Sequence, residues 1–280
     1  MKVLVTGGSG YLGTHVRQFF SADDFSRRSG FDILDYQAVE KVADYDAVIH
    51  LAGHFDKSPE GAFECFRTNA EGTANVIRNM KPGAAFIYAS TKDVYGSNAG
   101  EIDTVNENTS TEYRGQSAFE WSKLIGERYV EYYARTKGVR ACIFRLSTVY
   151  ARPSEDNAPG FVTHYVESVK HRQPIRLPAG VDPVRDILYV DDFARACGAF
   201  FTSKREFGLY NLGGGHMNAA SLRDIIKRIG ALIEIEPVIQ EDPAMPVPVP
   251  LRYVSDTTRA IDELAWRPWI GIDDGLRTLL

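Results

Sequence analysis

The stretch VLVTGGSGYLG near the N-terminus carries glycines at a spacing that suits phosphate binding. Gly7, Gly10 and Gly13 follow an apolar run and precede a segment with helical periodicity. Glycine in such a turn lets the backbone approach a pyrophosphate, which then meets the free N–H groups at the start of the helix. We therefore predict a dinucleotide site here, with Tyr11 and Leu12 among its contacts; the alternative is an ordinary tight turn.

The elements that must hold this turn alternate along the first half of the chain. Apolar runs of strand length alternate with segments, such as 59–80 and 117–137, in which apolar residues recur every three or four positions; the runs are KVLV, DAVIHLA, AAFIYAS and RACIFRLS. Strands buried on both faces and alternating with helices predict an α/β fold with a Rossmann-like, doubly wound parallel sheet.

The second half of the chain has a different texture. Prolines become frequent after residue 150, and PAMPVPVP at 243–250 predicts an extended loop because proline cannot sit inside a helix or central strand. We predict a dinucleotide-binding domain and a smaller C-terminal substrate-binding lobe. The domain takes 1–150 and returning segments at about 186–213, and the lobe takes about 151–185 and 214–280.

Composition excludes several classes of partner. The 280 residues are 44% hydrophobic, enough for a large core, and the net charge of −5 offers no field for nucleic acid or an anionic membrane. No run approaches the ~18 apolar residues of a membrane span, and the N-terminus does not resemble a signal peptide, so we expect a cytoplasmic protein. Cys65, Cys142 and Cys197 are odd in number and far apart, which indicates buried thiols rather than a disulfide or metal framework.

Several motifs in a fixed order carry a family resemblance. The spacing GxxGxxG is followed by DAVIHLAG (46–53), TNAEGTANVI (68–77), YASTKDVYG (88–96), RDILYVDDFARA (185–196), YNLGGG (210–215) and DTTRAIDELAWRP (256–268). This string resembles the extended short-chain dehydrogenase/reductase family of nucleotide-sugar epimerases and dehydratases. The resemblance covers nearly the whole chain and implies a homodimer that binds NAD(P) and a nucleotide sugar. It also implies that Leu51, Ala52 and Gly53 pass beside the cofactor and that Asn69 braces the surrounding loops.

The choice of nicotinamide cofactor depends on the end of the second strand. An acidic residue there would bind the adenosine ribose hydroxyls, whereas arginine accommodates a 2′-phosphate. The sequence places Ser26, Arg27 and Arg28 at this point, which favours NADP over NAD. In the alternative, these residues form a solvated turn and Asp32 binds the ribose, although Asp32-Ile33 better matches the family's adenine-contacting pair.

The stretch SAFEWSK (117–123) raises the main chemical question. The resemblance implies a catalytic tyrosine four residues before Lys123. It also implies that Lys123 lowers the pKa of this tyrosine and binds the nicotinamide ribose. The sequence has Phe119 at the tyrosine position. Phe119 therefore indicates either an inactivated variant or a natural active site that uses a different acid. In the alternative without catalysis, Phe119 is a core residue and Lys123 is a solvated lysine. Among nearby tyrosines only Tyr113 could substitute, since Tyr95 and Tyr150 belong to packing motifs. General acid–base catalysis typically raises a reaction rate about 10²- to 10⁴-fold. If no other group donates the proton, Phe119→Tyr should raise turnover by about this factor.

The strand end YASTKD provides the next candidates. The resemblance implies that Thr91 hydrogen-bonds the reacting sugar oxygen. Sugar 4,6-dehydratases resemble TDE here, whereas this chain has Thr91, Lys92 and Asp93, and a lysine does not replace the dehydratase acid in the same way. Asp93 is either a catalytic base or a residue of a surface turn.

Three more residues are substrate candidates by resemblance. Arg185 matches an arginine that binds the nucleotide pyrophosphate, which the planar guanidinium suits; a surface pair with Asp186 is the alternative. Thr148 stands where relatives carry a sugar-contacting asparagine. Arg252 is a candidate for the far side of the nucleotide.

These residues leave three interpretations open. A nucleotide-sugar 4-epimerase comes first because its motif string is most similar, and an NADP-dependent 4-keto-sugar reductase is second. The third is a catalytically degenerate protein that binds dinucleotide or nucleotide sugar. Retention of Thr91, Lys123 and Arg185 argues against the third interpretation.

Overall fold

The computed structural model describes residues 1–153, 157 and 160–280. Its strands are β1 (Val3–Thr6), β2 (Asp23–Phe25), β3 (Ala47–His50), β4 (Ala85–Thr91), β5 (Arg140–Leu146), β6 (Thr148–Tyr150), β7 (Ile175–Pro178), β8 (Val184–Tyr189), β9 (Phe207–Leu212), β10 (Ala219–Ser221), β11 (Ile239–Asp242) and β12 (Arg252–Tyr253). Its α-helices are α1 (Tyr11–Phe20), α2 (Ala62–Cys65), α3 (Thr73–Arg78), α4 (Ala118–Lys137), α5 (Phe161–Lys170), α6 (Val190–Thr202), α7 (Leu222–Ile233), α8 (Thr258–Leu264) and α9 (Ile272–Arg277).

The central sheet confirms the predicted α/β fold. Six strands lie in the order β2-β1-β3-β4-β5-β9, and every neighbouring pair is parallel. Successive strand residues point to opposite faces, so Val3 and Val5 enter one core and Leu4 enters the other. The first core also holds Phe193 of α6, and the second holds Val130 of α4. Helices therefore cover both faces, as expected for a doubly wound sheet.

The predicted helical segments are present with one difference. Helix α4 extends over Ala118–Lys137, as the periodicity of 117–137 predicts. The segment 59–80 is not one regular helix, because a π-helix at Phe66–Gly72 separates α2 from α3. A single local widening of this kind leaves the spacing of apolar residues nearly unchanged, so periodicity does not reveal it.

Apart from β9, the strands that follow β5 in the sequence form smaller sheets. Strand β8 pairs with β6, β10 and β12, and β7 pairs with β11. The predicted extended loop at 243–250 contains neither helix nor strand. Residues 154–156, 158 and 159 of the predicted lobe lie outside the described residues.

Two other expectations concern burial and membranes. The three cysteines are free and buried, as predicted. Within the described ranges, no helix has the length and apolar character needed to cross a membrane.

Candidate active site

The turn between β1 and α1 requires its glycines. Gly7 has φ +67°, and a Cβ there would lie 2.7 Å from the backbone nitrogen of Ala52. A Cβ on Gly13 would collide with the carbonyl oxygen of Gly7. Gly10 precedes α1 without a side-chain cap, which leaves backbone N–H groups at the helix start for a ligand. The turn therefore forms a backbone cradle that fits a pyrophosphate.

A cavity of about 410 Å³ lies over this turn and the ends of β2 and β3. Most predicted cofactor residues line it: Gly7, Gly10, Arg27, Arg28, Asp32, Ile33, Leu51, Ala52 and Gly53. Tyr11 lies elsewhere, and its hydroxyl donates to the carbonyl of Ala151 at 2.9 Å and accepts from the N–H of Ala151 at 2.8 Å. Tyr11 thus ties α1 to the segment after β6.

The end of β2 brings both cofactor alternatives to one cavity. Strand β2 ends at Phe25, so Ser26 occupies the next position, where an acidic residue would bind ribose. Arg27 lines the cavity, and Arg28 Nη1 donates to the Ser9 carbonyl at 3.0 Å. Asp32 also lines the cavity, and its Oδ1 accepts a hydrogen bond from the backbone of Leu34 at 2.9 Å.

Asn69 connects two elements beside the cofactor turn. It lies fully buried in the π-helix, and its Oδ1 accepts from the His54 N–H at 2.7 Å. Its Nδ2 donates to the His54 carbonyl and to Ser122 Oγ, each at 2.9 Å. The side chain therefore fixes the loop after β3 against α4, next to Lys123.

Helix α4 places Phe119 and Lys123 on its buried face. Ser117 and Glu120 form a capping box that starts the helix directly before Phe119. Lys123 Nζ donates to the Ala89 carbonyl at 2.9 Å and would lie 3.3 Å from a Cβ on Gly53. Burial lowers the pKa of Lys123 to about 8, although Glu127 acts in the opposite direction. The lysine is therefore not a solvated surface residue.

A second cavity of about 460 Å³ collects most of the chemical candidates. Its lining includes Leu12, Phe55, Thr91, Lys92, Asp93, Phe119, Thr148 and Arg185. Thr91 Oγ accepts from the Asp93 N–H at 3.1 Å, which leaves its own proton for another acceptor. The ring of Phe119 meets Phe55 edge to face with centroids 4.7 Å apart.

Four side chains of alternating charge lie beside Phe119: Lys92, Asp93, Lys57 and Glu120. The sequence analysis did not identify Lys57 or Glu120 as site residues. Asp93 Oδ1 is 2.5 Å from Lys92 Nζ, and Asp93 Oδ2 is 2.7 Å from Lys57 Nζ. Lys57 Nζ also lies 2.7 Å from Glu120 and 5.9 Å from the Phe119 ring centroid. Only Glu120, as the helix-capping residue, had a signal in the sequence.

Asp93 carries a charge at neutral pH as a result. Burial raises its pKa, but the ammonium groups of Lys92 and Lys57 outweigh burial and hold the pKa of this carboxyl well below its usual range. A carboxylate held in this way is a weak base. The arrangement disfavours the interpretation of Asp93 as a catalytic base.

The two candidate arginines have different surroundings. Arg185 is buried, lines the second cavity, and donates to the carbonyls of Val184 at 2.6 Å and Leu251 at 3.1 Å. Asp186 instead accepts from Ser147 and from the N–H groups of Gly215 and Ser255, so the alternative of a surface pair with Arg185 is wrong. Arg252 is exposed in β12 and lines neither the first nor the second cavity.

None of the three nearby tyrosines lines the second cavity. Tyr113 is 67% exposed. Tyr95 donates to Asn211 at 2.6 Å within a buried cluster, and Tyr150 is 1% exposed in the main core. The packing roles predicted for Tyr95 and Tyr150 agree with this burial.

A third cavity, of about 630 Å³, is also lined by Lys92 and Asp93. It is lined further by Lys57, Arg114, Gln116, Glu120, Pro250 and Tyr253. Lys92 Nζ lies 5.0 Å from the centre of the Tyr253 ring. Lys92 and Asp93 therefore stand between two open spaces.

Comparisons with known proteins agree with this architecture. The chain is 28% identical to dTDP-glucose 4,6-dehydratase of Mycobacterium tuberculosis over 100% of its length and 92% of the relative's. It is 27% identical to GDP-6-deoxy-D-mannose reductase of Pseudomonas aeruginosa, with coverage of 100% and 96%. The structure of UDP-glucose 4-epimerase from Thermus thermophilus in complex with NAD superimposes with a TM-score of 0.81 at 25% identity, covering 100% of this chain and 97% of that one. The model of the NAD dependent epimerase/dehydratase family matches residues 3–213, and the chain belongs to that family.

Proposed function

We propose that this chain reduces the keto group of a nucleotide-activated 4-keto sugar with NADPH. The observation that carries the proposal is the second cavity, where Thr91, Arg185 and the cluster around Asp93 surround one space. The loop after β3 connects this space to the dinucleotide cradle, because Leu51–Gly53 line the first cavity and Phe55 lines the second. Relatives over the full length of the chain are named as enzymes acting on nucleotide sugars.

Three residues have separate roles in the proposed reduction: Lys123, Thr91 and Arg185. A bound nicotinamide supplies hydride. Lys123 holds the nicotinamide ribose, since its ammonium group projects beside Gly53. Thr91 donates to the sugar oxygen with the proton that its own hydrogen bond leaves free. Arg185 lines the cavity and binds the pyrophosphate through the guanidinium N–H groups that its bonds to Val184 and Leu251 leave free.

The geometry favours reduction over the 4-epimerase reaction that the motif string placed first. An epimerase needs a group that takes a proton from a sugar hydroxyl and later returns it. Phe119 has no exchangeable proton, and Asp93 is a weak base between two ammonium groups. Reduction needs a proton donor only, and ammonium groups are donors.

We infer a preference for NADP from the end of β2. Ser26 takes the place of a ribose-binding acid, and Arg27 lines the cavity two residues after the strand. Guanidinium groups suit a 2′-phosphate because they donate two parallel hydrogen bonds to its oxygens. Residues 1–150 and 186–213 would then hold the dinucleotide, and 151–185 with 214–280 the nucleotide sugar.

We further propose that the chain forms a homodimer through α4 and the neighbouring π-helix. Exposed aromatic residues lie on α4, on the π-helix and on α2, which packs against both: Phe63, Phe66, Trp121, Tyr129 and Tyr132. Trp121 and Tyr132 lie on the same side of α4, since a step of eleven residues returns to within about 20°, and Tyr129 lies about 80° from Trp121 around the helix axis. A patch of large apolar side chains on one surface favours a protein partner, and a second copy offers the same patch.

The experiment that tests the function combines binding with turnover. The protein is mixed with NADPH and nucleoside diphosphate 4-keto-6-deoxy sugars in thymidine and guanosine forms, and loss of reduced nicotinamide absorbance is followed. We expect steady oxidation of NADPH with at least one of these sugars. Heat of binding without oxidation would instead support the degenerate binding protein.

A further inference from the structure

The side chain of Lys92 occupies the boundary between the second and third cavities. It borders both spaces while its side chain is only 13% exposed. It directly follows Thr91, which the proposed function assigns to the sugar oxygen. Its position therefore combines nearness to the reacting oxygen with access to solvent on the far side.

Two neighbours fix the direction of this side chain. One N–H of the ammonium group points to Asp93 Oδ1 at 2.5 Å, and the Tyr253 ring lies 5.0 Å from Nζ. Lys57 occupies the other oxygen of Asp93 at 2.7 Å, so this carboxylate cannot turn away without breaking an ion pair. An ammonium group has three donors, and the contact with Asp93 leaves two for a ligand.

The other groups around the second cavity are less suited to release a proton. The Phe119 ring carries none, and arginine such as Arg185 keeps its charge under all ordinary conditions. Lys57 is held between Asp93 and Glu120 and does not line this cavity. Thr91 can pass a proton only if another group replaces it, because a hydroxyl does not ionise near neutrality.

We propose that Lys92 is the proton donor of this site, in place of the phenol that Phe119 lacks. The proposal rests on the proposed function. Hydride adds to the carbonyl carbon, the C=O π bond becomes an oxygen lone pair, and that oxygen takes a proton from Lys92 Nζ. The nicotinamide is oxidised and the sugar is reduced to an alcohol. The neutral amine then takes up one proton from bulk solvent through the third cavity, so the reaction consumes one solvent proton for each hydride transferred.

Asp93 and Lys57 are positioning residues in this scheme. Asp93 pairs with Lys92, and Lys57 pairs with the other oxygen of the same carboxylate. Lys57→Met should therefore lower turnover less than Lys92→Met does.

Substitutions of Lys92 and Phe119 test the proposal together. Single-turnover oxidation of NADPH is measured with the thymidine and guanosine 4-keto-6-deoxy sugars. Lys92→Met and Lys92→Arg should each lower the rate by about 10²- to 10⁴-fold, because arginine keeps the charge but does not release a proton. Binding of the sugar nucleotide to Lys92→Arg should stay close to that of the wild type. Lys227→Met on the exposed side of α7 serves as the matched control.

The decisive comparison adds a phenol at position 119. Phe119→Tyr should restore most of the rate lost in Lys92→Arg, because the phenol supplies the proton that arginine does not release.

Three results would overturn the proposal while leaving the proposed function intact. These are a wild-type rate in Lys92→Arg, a loss confined to sugar-nucleotide binding, and no recovery on adding Phe119→Tyr. The second would make Lys92 a binding residue for an anionic group. A wild-type protein that oxidises no NADPH with any of these sugars would overturn the proposed function and this proposal with it.

Discussion

Phe119 and Lys123 lie one turn apart on the buried face of α4, and only the lysine brings a polar group to the site. Lys123 Nζ donates to Ala89, whereas the Phe119 ring packs edge-on against Phe55. The spacing i, i+4 puts both side chains on one helix face. The helix therefore keeps the lysine that we propose holds the nicotinamide ribose, and it has no proton-carrying side chain at position 119. The proton must come from elsewhere in the cavity if the protein turns over substrate.

Cofactor preference provides the first prediction. NADP should bind at least about tenfold more tightly than NAD, the scale of one charge-assisted hydrogen bond. Arg27→Ala should remove most of that difference by weakening NADP alone, because Arg27 lines the first cavity just after the end of β2. Fluorescence or calorimetric titration gives both affinities, with Arg277→Ala on the exposed face of α9 as control. Equal affinities in the wild type would move the ribose role to Asp32.

Arg185 and Arg252 lead to opposite expectations. Arg185→Ala should weaken binding of UDP, dTDP or GDP by about 2 kcal/mol or more, because a buried guanidinium facing phosphate makes charge-assisted bonds. NADP affinity should stay constant. Arg252→Ala should leave both ligands nearly unaffected, since this residue is exposed. Titration calorimetry measures both, and a joint loss of nucleotide and NADP affinity in Arg185→Ala would make Arg185 structural.

The buried ammonium group of Lys123 should make stability depend on pH. The folded protein loses this proton near pH 8, whereas the unfolded chain keeps it until about pH 10.5. Between these values the unfolded chain binds more protons, so the free energy of unfolding should rise with pH. Relative to Lys123→Met, the rise should approach about 1.4 kcal/mol per pH unit. Urea unfolding of both proteins without cofactor measures it, and parallel pH profiles would show that Lys123 is not perturbed.

The exposed aromatic residues of α4 lead to a prediction about assembly. Sedimentation should give twice the mass of the chain for the wild type. Trp121→Glu together with Tyr132→Glu should give the monomer without loss of secondary structure, because both side chains are exposed in the single chain. Tyr36→Glu, at another exposed aromatic position, is the control. A monomeric wild type would contradict the proposed dimer.

The features that could be predicted from sequence are those with a local cause. Gly7 and Gly13 identify the cofactor turn because no other residue fits their close approach to the backbone. Apolar runs identify the parallel strands because both faces are buried. The cluster of Lys57, Asp93 and Glu120 could not be predicted, because three separate loops and helix starts bring these residues together. The role of Asp93 changes accordingly, from a candidate base to an ionised partner of two lysines.

The most direct test of the central claim is the fate of the transferred hydride. NADPH deuterated on either face of the nicotinamide C4 is incubated with the wild-type protein and the 4-keto-6-deoxy sugar nucleotides. We expect a reduced sugar that carries deuterium at C4 when the correct face is labelled, together with an equal amount of NADP. An epimerised sugar without deuterium, or unchanged sugar with unoxidised NADPH, would contradict the account.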